Sequence, residues 1–239
     1  MPPRGLTGGR NSLEELLIQN ACIIDGTGSP GFMGSLTVSG ARITGIWKDP
    51  WYNIPARERL DSAGMVLCPG FVDTHTHSDM VLLHDGHQPA SITQGVTTEI
   101  LGQDGLSYAP LSPDNLRSYV LYLKGIDGMF CDVPLDFTST EQYLSRFEGK
   151  TGVNVAYLVP HCALRLETVG FENRLLTPSE MMLAQTMLRQ GIREGAKGLS
   201  TGLSYFPGAF SDTEELVELC KAVANEGGVY VTHLRTVFQ

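Results

Sequence analysis

The chain has 239 residues, 42% hydrophobic and 18% charged, with 26 acidic against 17 basic side chains and a net charge of −9. That is an ordinary globular composition, long enough for one large domain or a medium domain with a small companion. The acidic balance argues against nucleic acid and anionic membrane as partners, because both require a basic face. No run of about 18 apolar residues offers a membrane span. The five cysteines, Cys22, Cys68, Cys131, Cys162 and Cys220, are scattered and form no CxxC pair. They read as reduced, buried thiols of a cytoplasmic protein rather than as a disulfide framework.

Residues 1–14 lack the apolar centre of a signal peptide and are expected to form a loose arm. Residues 15–64 carry short strand patterns at 15–20, 21–25, 34–39 and 41–47, punctuated by the turn cluster Gly26-Thr27-Gly28-Ser29-Pro30-Gly31 and by Ser39-Gly40. They predict a small antiparallel sheet belonging to a β-sandwich. From residue 65 the rhythm changes. Strand-like runs at 65–73, 96–101, 153–160, 198–203 and 229–233 alternate with helical segments. Ser112-Pro113 opens a helix through 116–123, and Thr140 opens a shorter one. Thr177-Pro178-Ser179-Glu180 reads as a capping box for a helix running to about Arg193. Ser211-Asp212-Thr213-Glu214 does the same for 215–225, which Gly227-Gly228 ends. Strand-helix repetition means parallel strands joined by right-handed crossovers. No glycine-rich phosphate loop follows the first strand; polar and metal-capable residues sit at several strand ends instead. The fold class predicted for residues 65–239 is therefore α/β, a (β/α)8 barrel of which about five strand-helix units are present.

His75 and His77 end the first of these runs, just beyond Pro69-Gly70. Side chains at i and i+2 of an extended strand point the same way, so two imidazoles there can share one metal ion. Zinc accepts imidazole nitrogen at about 2.0–2.1 Å. Asp104, between Gly102 and Gly105 after the second strand, either bridges metal ions or is a turn aspartate. Glu99, inside that strand, is its substitute. His233 and His161 also stand at strand ends, whereas His84 and His87 read as loop residues.

Residues 65–79 resemble the amidohydrolase superfamily, whose first barrel strand ends in a metal-binding His-x-His. The likeness extends through residues 16–28, 95–98 with 102–110, 194–208 and 232–235, which resemble successive motifs of the D-aminoacylases, or N-acyl-D-amino-acid deacylases. The resemblance implies a TIM barrel and a zinc-dependent hydrolase that cleaves the amide bond of an N-acyl-D-amino acid or similar linear amide. It implies one tight Zn2+ and a second, weaker site. His233 and position 104 would hold the tight ion, and His75 and His77 would serve the weaker one. Asp73 would orient a histidine or simply shape the turn. Tyr205 would contact the substrate carboxylate, and Arg235 would clamp it or form a structural ion pair.

The sequence departs from that pattern twice. The family carries a cysteine where this chain has Asp104, and a carboxylate is a harder ligand, weaker for zinc and better suited to bridging hard ions. That leaves open a cyclic amidohydrolase of the dihydroorotase or hydantoinase kind, although Lys197 precedes the fourth strand instead of standing at its bridging position. The family's second distal histidine and catalytic aspartate have no counterpart before Gln239. The chain is therefore expected to be an amino-terminal fragment, inactive alone, of a protein acting on a small molecule. Self-association or pairing with the carboxy-terminal half is expected for the fragment.

Overall fold

Residues 13–235 are described by the computed structural model, in two units that divide between Pro69 and Gly70. The expected arm up to residue 12 and the tail from Thr236 lie outside the described residues.

The first unit is a sheet of β1 (Glu14–Ile23), β2 (Phe32–Ser39), β3 (Arg42–Trp47), β4 (Ala56–Asp61) and β5 (Val66–Leu67). Its order is β3-β2-β1-β4, with β5 also on β1. Strand β2 is antiparallel to β1 and β3, but β4 and β5 run parallel to β1, so the sheet is mixed rather than antiparallel. The two strands expected over 15–25 are one. Asn20 takes φ 59° and the register shifts between Ile18 and Ala21, a bulge that the strand survives. Ile18, Ala21, Ile23 and Leu36 form the buried core of this sheet. Strand β4 escapes sequence reading because Ala-Arg-Glu-Arg-Leu-Asp is almost wholly exposed and shows no apolar alternation.

The run 65–73 is also not one strand. Val66–Leu67 completes the first sheet, and after the Pro69-Gly70 break β6 (Phe71–Asp73) begins the second unit. Strand β6 is followed by β7 (Val96–Leu101), β8 (Asn154–Tyr157), β9 (Val159–Pro160), β10 (Gly198–Gly202) and β11 (Val229–His233). Parallel pairing gives β6-β7-β8 and β9-β10-β11. Strands β8 and β9 are one extended segment interrupted at Leu158. The Leu158 N–H donates to Leu101 O at 3.1 Å, and Tyr157 O accepts from Lys197 N–H at 2.7 Å. Five parallel segments therefore succeed one another in chain order.

The helices are α1 (Asp79–His84), α2 (Pro89–Ile92), α3 (Pro113–Leu123), α4 (Thr140–Ser145), α5 (His161–Thr168), α6 (Pro178–Arg193) and α7 (Thr213–Asn225). The Thr177–Glu180 capping box forms with both reciprocal bonds. At α7 the cap is Asp212, one residue later than expected, accepting from Glu215 N–H at 2.8 Å. Helices α1, α2 and α5 were not anticipated. Helix α5 follows β9 directly, and its cap position is Pro160, which offers no side-chain acceptor. The core joins Leu101 and Leu199 of the strands to Leu116, Tyr143, Leu164, Leu188 and Leu219 of the helices. All five cysteines are free, but only Cys162 is buried, and Cys68 and Cys131 are exposed, contrary to the expected burial. Among the described residues no helix is long and apolar enough to cross a membrane.

Helices α5 and α7 are joined by a buried ion cluster. Glu215, 3% exposed, accepts from Arg165 Nη1 at 2.5 Å and meets His161 Nε2 at 2.7 Å. Arg165 Nη2 donates to Arg174 O at 2.7 Å. Burial pushes the Glu215 carboxyl up, but the hydrogen bond and charge of His161, with those of Arg165, outweigh it and hold the group below its ordinary value of 4.5. Its folded-state pKa is thus the lower one, and the unfolded chain protonates first. The stabilisation is complete above about pH 4.5 and is lost as pH falls through the folded value. Glu215→Ala is expected to cost about 3–5 kcal/mol by stranding the buried Arg165 guanidinium. Glu215→Gln should flatten the acid limb of the stability curve. Urea unfolding between pH 6 and 3.5 checks both; an unchanged acid limb in Glu215→Gln contradicts the assignment.

Candidate metal centre

Strand β6 stops at Asp73, so His75 and His77 stand just past the strand rather than on it. Asp73 Oδ1 accepts from the His75 N–H at 3.1 Å and shapes the turn. Gln103 Nε2 donates to Thr74 O at 2.8 Å and fastens this turn to the end of β7. The two imidazoles lie edge to face, 5.6 Å apart.

The loop after β7 is left-handed at Gly102 (φ 74°), Asp104 (φ 57°) and Gly105 (φ 70°). A Cβ at Gly102 would meet Leu158 O at 2.2 Å, and one at Gly202 would meet Asp104 O at 2.0 Å. Both positions need glycine because backbone passes backbone there. Ser200 of β10 holds the loop: its hydroxyl donates to Gly102 O and accepts from Gly105 N–H at 3.0 Å.

The loop turns the Asp104 carboxylate inward, with only 5% of the side chain exposed. Its Oδ2 lies 3.4 Å from His75 Nε2, 3.3 Å from His77 Nε2 and 3.5 Å from His233 Nδ1 at the end of β11. All four residues expected as ligands therefore meet at one oxygen. One ligand atom each from His75, His77 and Asp104 lie within 4.8 Å of one another. Imidazoles around a carboxylate are a donor set that suits zinc.

The Tyr205 ring lies 5.3 Å from that of His233. Burial, then the charge of Asp104 and the neighbouring Tyr122, push the Tyr205 hydroxyl above its ordinary value of 10.0. Arg235 donates to Ala209 O at 2.9 Å and Ser211 O at 3.0 Å, so carbonyls rather than a carboxylate engage its guanidinium. His161 is drawn away to Glu215. Glu99 is buried in β7 with neither carboxylate oxygen hydrogen-bonded, and it stands outside the cluster. His84 ends α1 instead of lying in a loop, and it pairs with Asp132 at 2.9 Å; His87 lies 3.4 Å from Asp85.

Two buried carboxylates beside the cluster were missed. Asp79, in the first turn of α1, accepts from Ser107 Oγ and from Tyr143 Oη at 2.9 Å, and burial pushes its carboxyl up. Asp127 accepts from Tyr108 Oη at 2.7 Å. Burial, with the charge of Asp79 adding and the Tyr108 bond opposing, pushes Asp127 up to about 7. Its Oδ1 stands 3.8 Å from His77 Nδ1. In sequence Gly125-Ile126-Asp127-Gly128 reads only as a turn.

No family model matches the chain. D-aminoacylase of Alcaligenes xylosoxydans xylosoxydans is 35% identical over 92% of this chain and 44% of its own length. A crystal structure of D-aminoacylase, described as defining a novel subset of amidohydrolases, matches with a TM-score of 0.80 at 34% identity, over 93% of this chain and 46% of that one. N-acyl-D-glutamate deacylase from Bordetella bronchiseptica, complexed with zinc and a phosphonate mimic of the tetrahedral intermediate, matches with a TM-score of 0.82 at 31% identity, over 94% of this chain and 46% of that one. L-hydantoinase from Arthrobacter aurescens shares only the fold, at 16% identity over 92% of this chain and 40% of that one, with a TM-score of 0.55. The chain thus spans under half the length of the relatives it matches. By sequence and by fold the chain is similar to D-aminoacylase and N-acyl-D-glutamate deacylase.

Proposed function

We propose that this chain carries the zinc-binding part of a metal-dependent amidohydrolase that cleaves the amide bond of N-acyl-D-amino acids or similar linear amides. The observation that carries this reading is the convergence of His75, His77 and His233 on Asp104 Oδ2 at 3.3–3.5 Å. We read the parallel array as five units of a (β/α)8 barrel and the first sheet as part of a β-sandwich. Five free cysteines support a reducing, cytoplasmic setting.

His75, His77, Asp104 and His233 would hold one tight zinc ion and a second, weaker one. Zinc supplies Lewis acidity that polarises a carbonyl and acidifies water. The protein's own groups do the rest. Asp104 keeps the imidazoles facing one point. Asp73 positions His75 through its backbone N–H. Tyr205, held in its neutral form, donates a hydrogen bond to the substrate carboxylate. Arg235, fastened to two carbonyls, sets a fixed positive charge near that carboxylate. The resemblance gives the acid–base role to an aspartate of the eighth barrel strand, beyond the five strands described. Turnover is therefore proposed for the protein at its relatives' length rather than for residues 1–239. The cyclic-amide alternative gains little support, since Lys197 precedes β10 and lies outside the ligand cluster.

Four outcomes follow. Zinc titration of the protein should show binding that His75→Ala or Asp104→Ala weakens by more than about 100-fold, beyond the effect expected of an outer partner. Gly202→Ala, which sets a Cβ against Asp104 O, should lose zinc while circular dichroism keeps the native spectrum. An assay of N-acetyl-D- and N-acetyl-L-amino acids should give turnover with the protein in its full encoded length and none with residues 1–239. Absence of turnover for every N-acyl amino acid by the full-length protein would refute the substrate class. Phe71 and Val72 on β6 and Val229 on β11 are each more than half exposed. Residues 1–239 alone should therefore self-associate in sedimentation analysis, and a monodisperse monomer would count against this.

A further inference from the structure

His77 has two ring nitrogens, and the ligand cluster uses one. Nε2 faces Asp104 at 3.3 Å. Nδ1 is buried and has no hydrogen-bond partner. Opposite it, at 3.8 Å, stands Asp127 Oδ1, which is also buried and also without a partner. A buried polar group left unpaired costs about 1–3 kcal/mol. These two are complementary, a ring nitrogen able to donate facing a carboxylate acceptor 3.8 Å away. Asp127 is not free to turn elsewhere, because Tyr108 Oη grips its other oxygen at 2.7 Å and its side chain is 1% exposed. The neighbouring Asp79 gives Oδ1 to Ser107 and Tyr143, and its Oδ2 is buried without a partner.

We propose that Asp127 is a positioning residue for His77. It accepts the Nδ1–H and so keeps Nε2 turned toward Asp104 and the zinc site. Tyr108 in turn fixes Asp127, so a chain of three groups runs from the loop after β7 through the turn after α3 to the ligand. The consequence for metal affinity rests on the zinc reading above; the pairing of His77 Nδ1 with Asp127 does not.

Long-range 1H–15N spectra of histidine-labelled, metal-free protein test it, with the His77 ring assigned by its loss in His77→Gln. A proton on Nδ1 is expected, and a ring whose Nδ1 carries none overturns the proposal even if no variant folds. In Asp127→Asn the side-chain NH2 facing Nδ1 should reverse the tautomer, and in Asp127→Leu the preference should vanish. Zinc affinity should fall about 10- to 100-fold in both. Wild-type affinity and tautomer in both variants would overturn the inference. Failure of the wild-type protein to bind zinc would instead sink the zinc reading, with the tautomer result still deciding the role of Asp127.

Discussion

Everything at the metal centre depends on one hydroxyl. Ser200, in the fully buried strand β10, bonds both ends of the left-handed turn that carries Asp104, through Gly102 O and Gly105 N–H. A turn with an aspartate at φ 57° is not a conformation the chain adopts cheaply. It persists because glycine at 102 and 202 lets the backbones touch and because the serine meets the polar groups that the turn exposes to the interior. Substitution at Ser200 would leave two buried backbone groups unsatisfied, so the position of a metal-ligand candidate is set by a residue nearly a hundred positions away.

The helical layer holds more ionisable chemistry than the surface charge suggests. Asp79, Asp127 and Glu215 are almost wholly buried, yet they are handled differently. Glu215 is balanced by a guanidinium and an imidazole, and its carboxyl is held low. Asp79 and Asp127 are served by hydroxyls from Ser107, Tyr143 and Tyr108, and their carboxyls are pushed up. The first arrangement is mechanical, tying α5 to α7. The second adjoins the ligand cluster, with Asp127 Oδ1 3.8 Å from His77 Nδ1.

Much of the centre was legible before any coordinates. Alternating histidines beyond an apolar run, and a histidine ending Val-Tyr-Val-Thr, marked strand ends because burial stops where a strand leaves the core. Capping chemistry located α6 and, within a residue, α7. Asp127 was invisible because its role is set by what Tyr108 and His77 do in space, and Gly-Ile-Asp-Gly looks like any turn. Strand β4 was invisible because an exposed strand paired on one side needs no apolar alternation. His161 shows the converse. It satisfied the strand-end pattern, but the path of the chain into α5 turned it toward Glu215 and away from the metal ligands.

The ligands come from β6, β7 and β11, the two outermost strands of the parallel array and one beside the edge. His75 and His233 are separated by nearly the whole second unit in sequence, yet both reach the same carboxylate oxygen. An ion held there would act as a clasp across the array, closing a very long loop whose entropy the unfolded chain would otherwise retain. By linkage, such a clasp adds to folding stability according to the free metal concentration. The fold and the metal would then share one equilibrium, in which chelation loosens the strand edges as well as emptying the site.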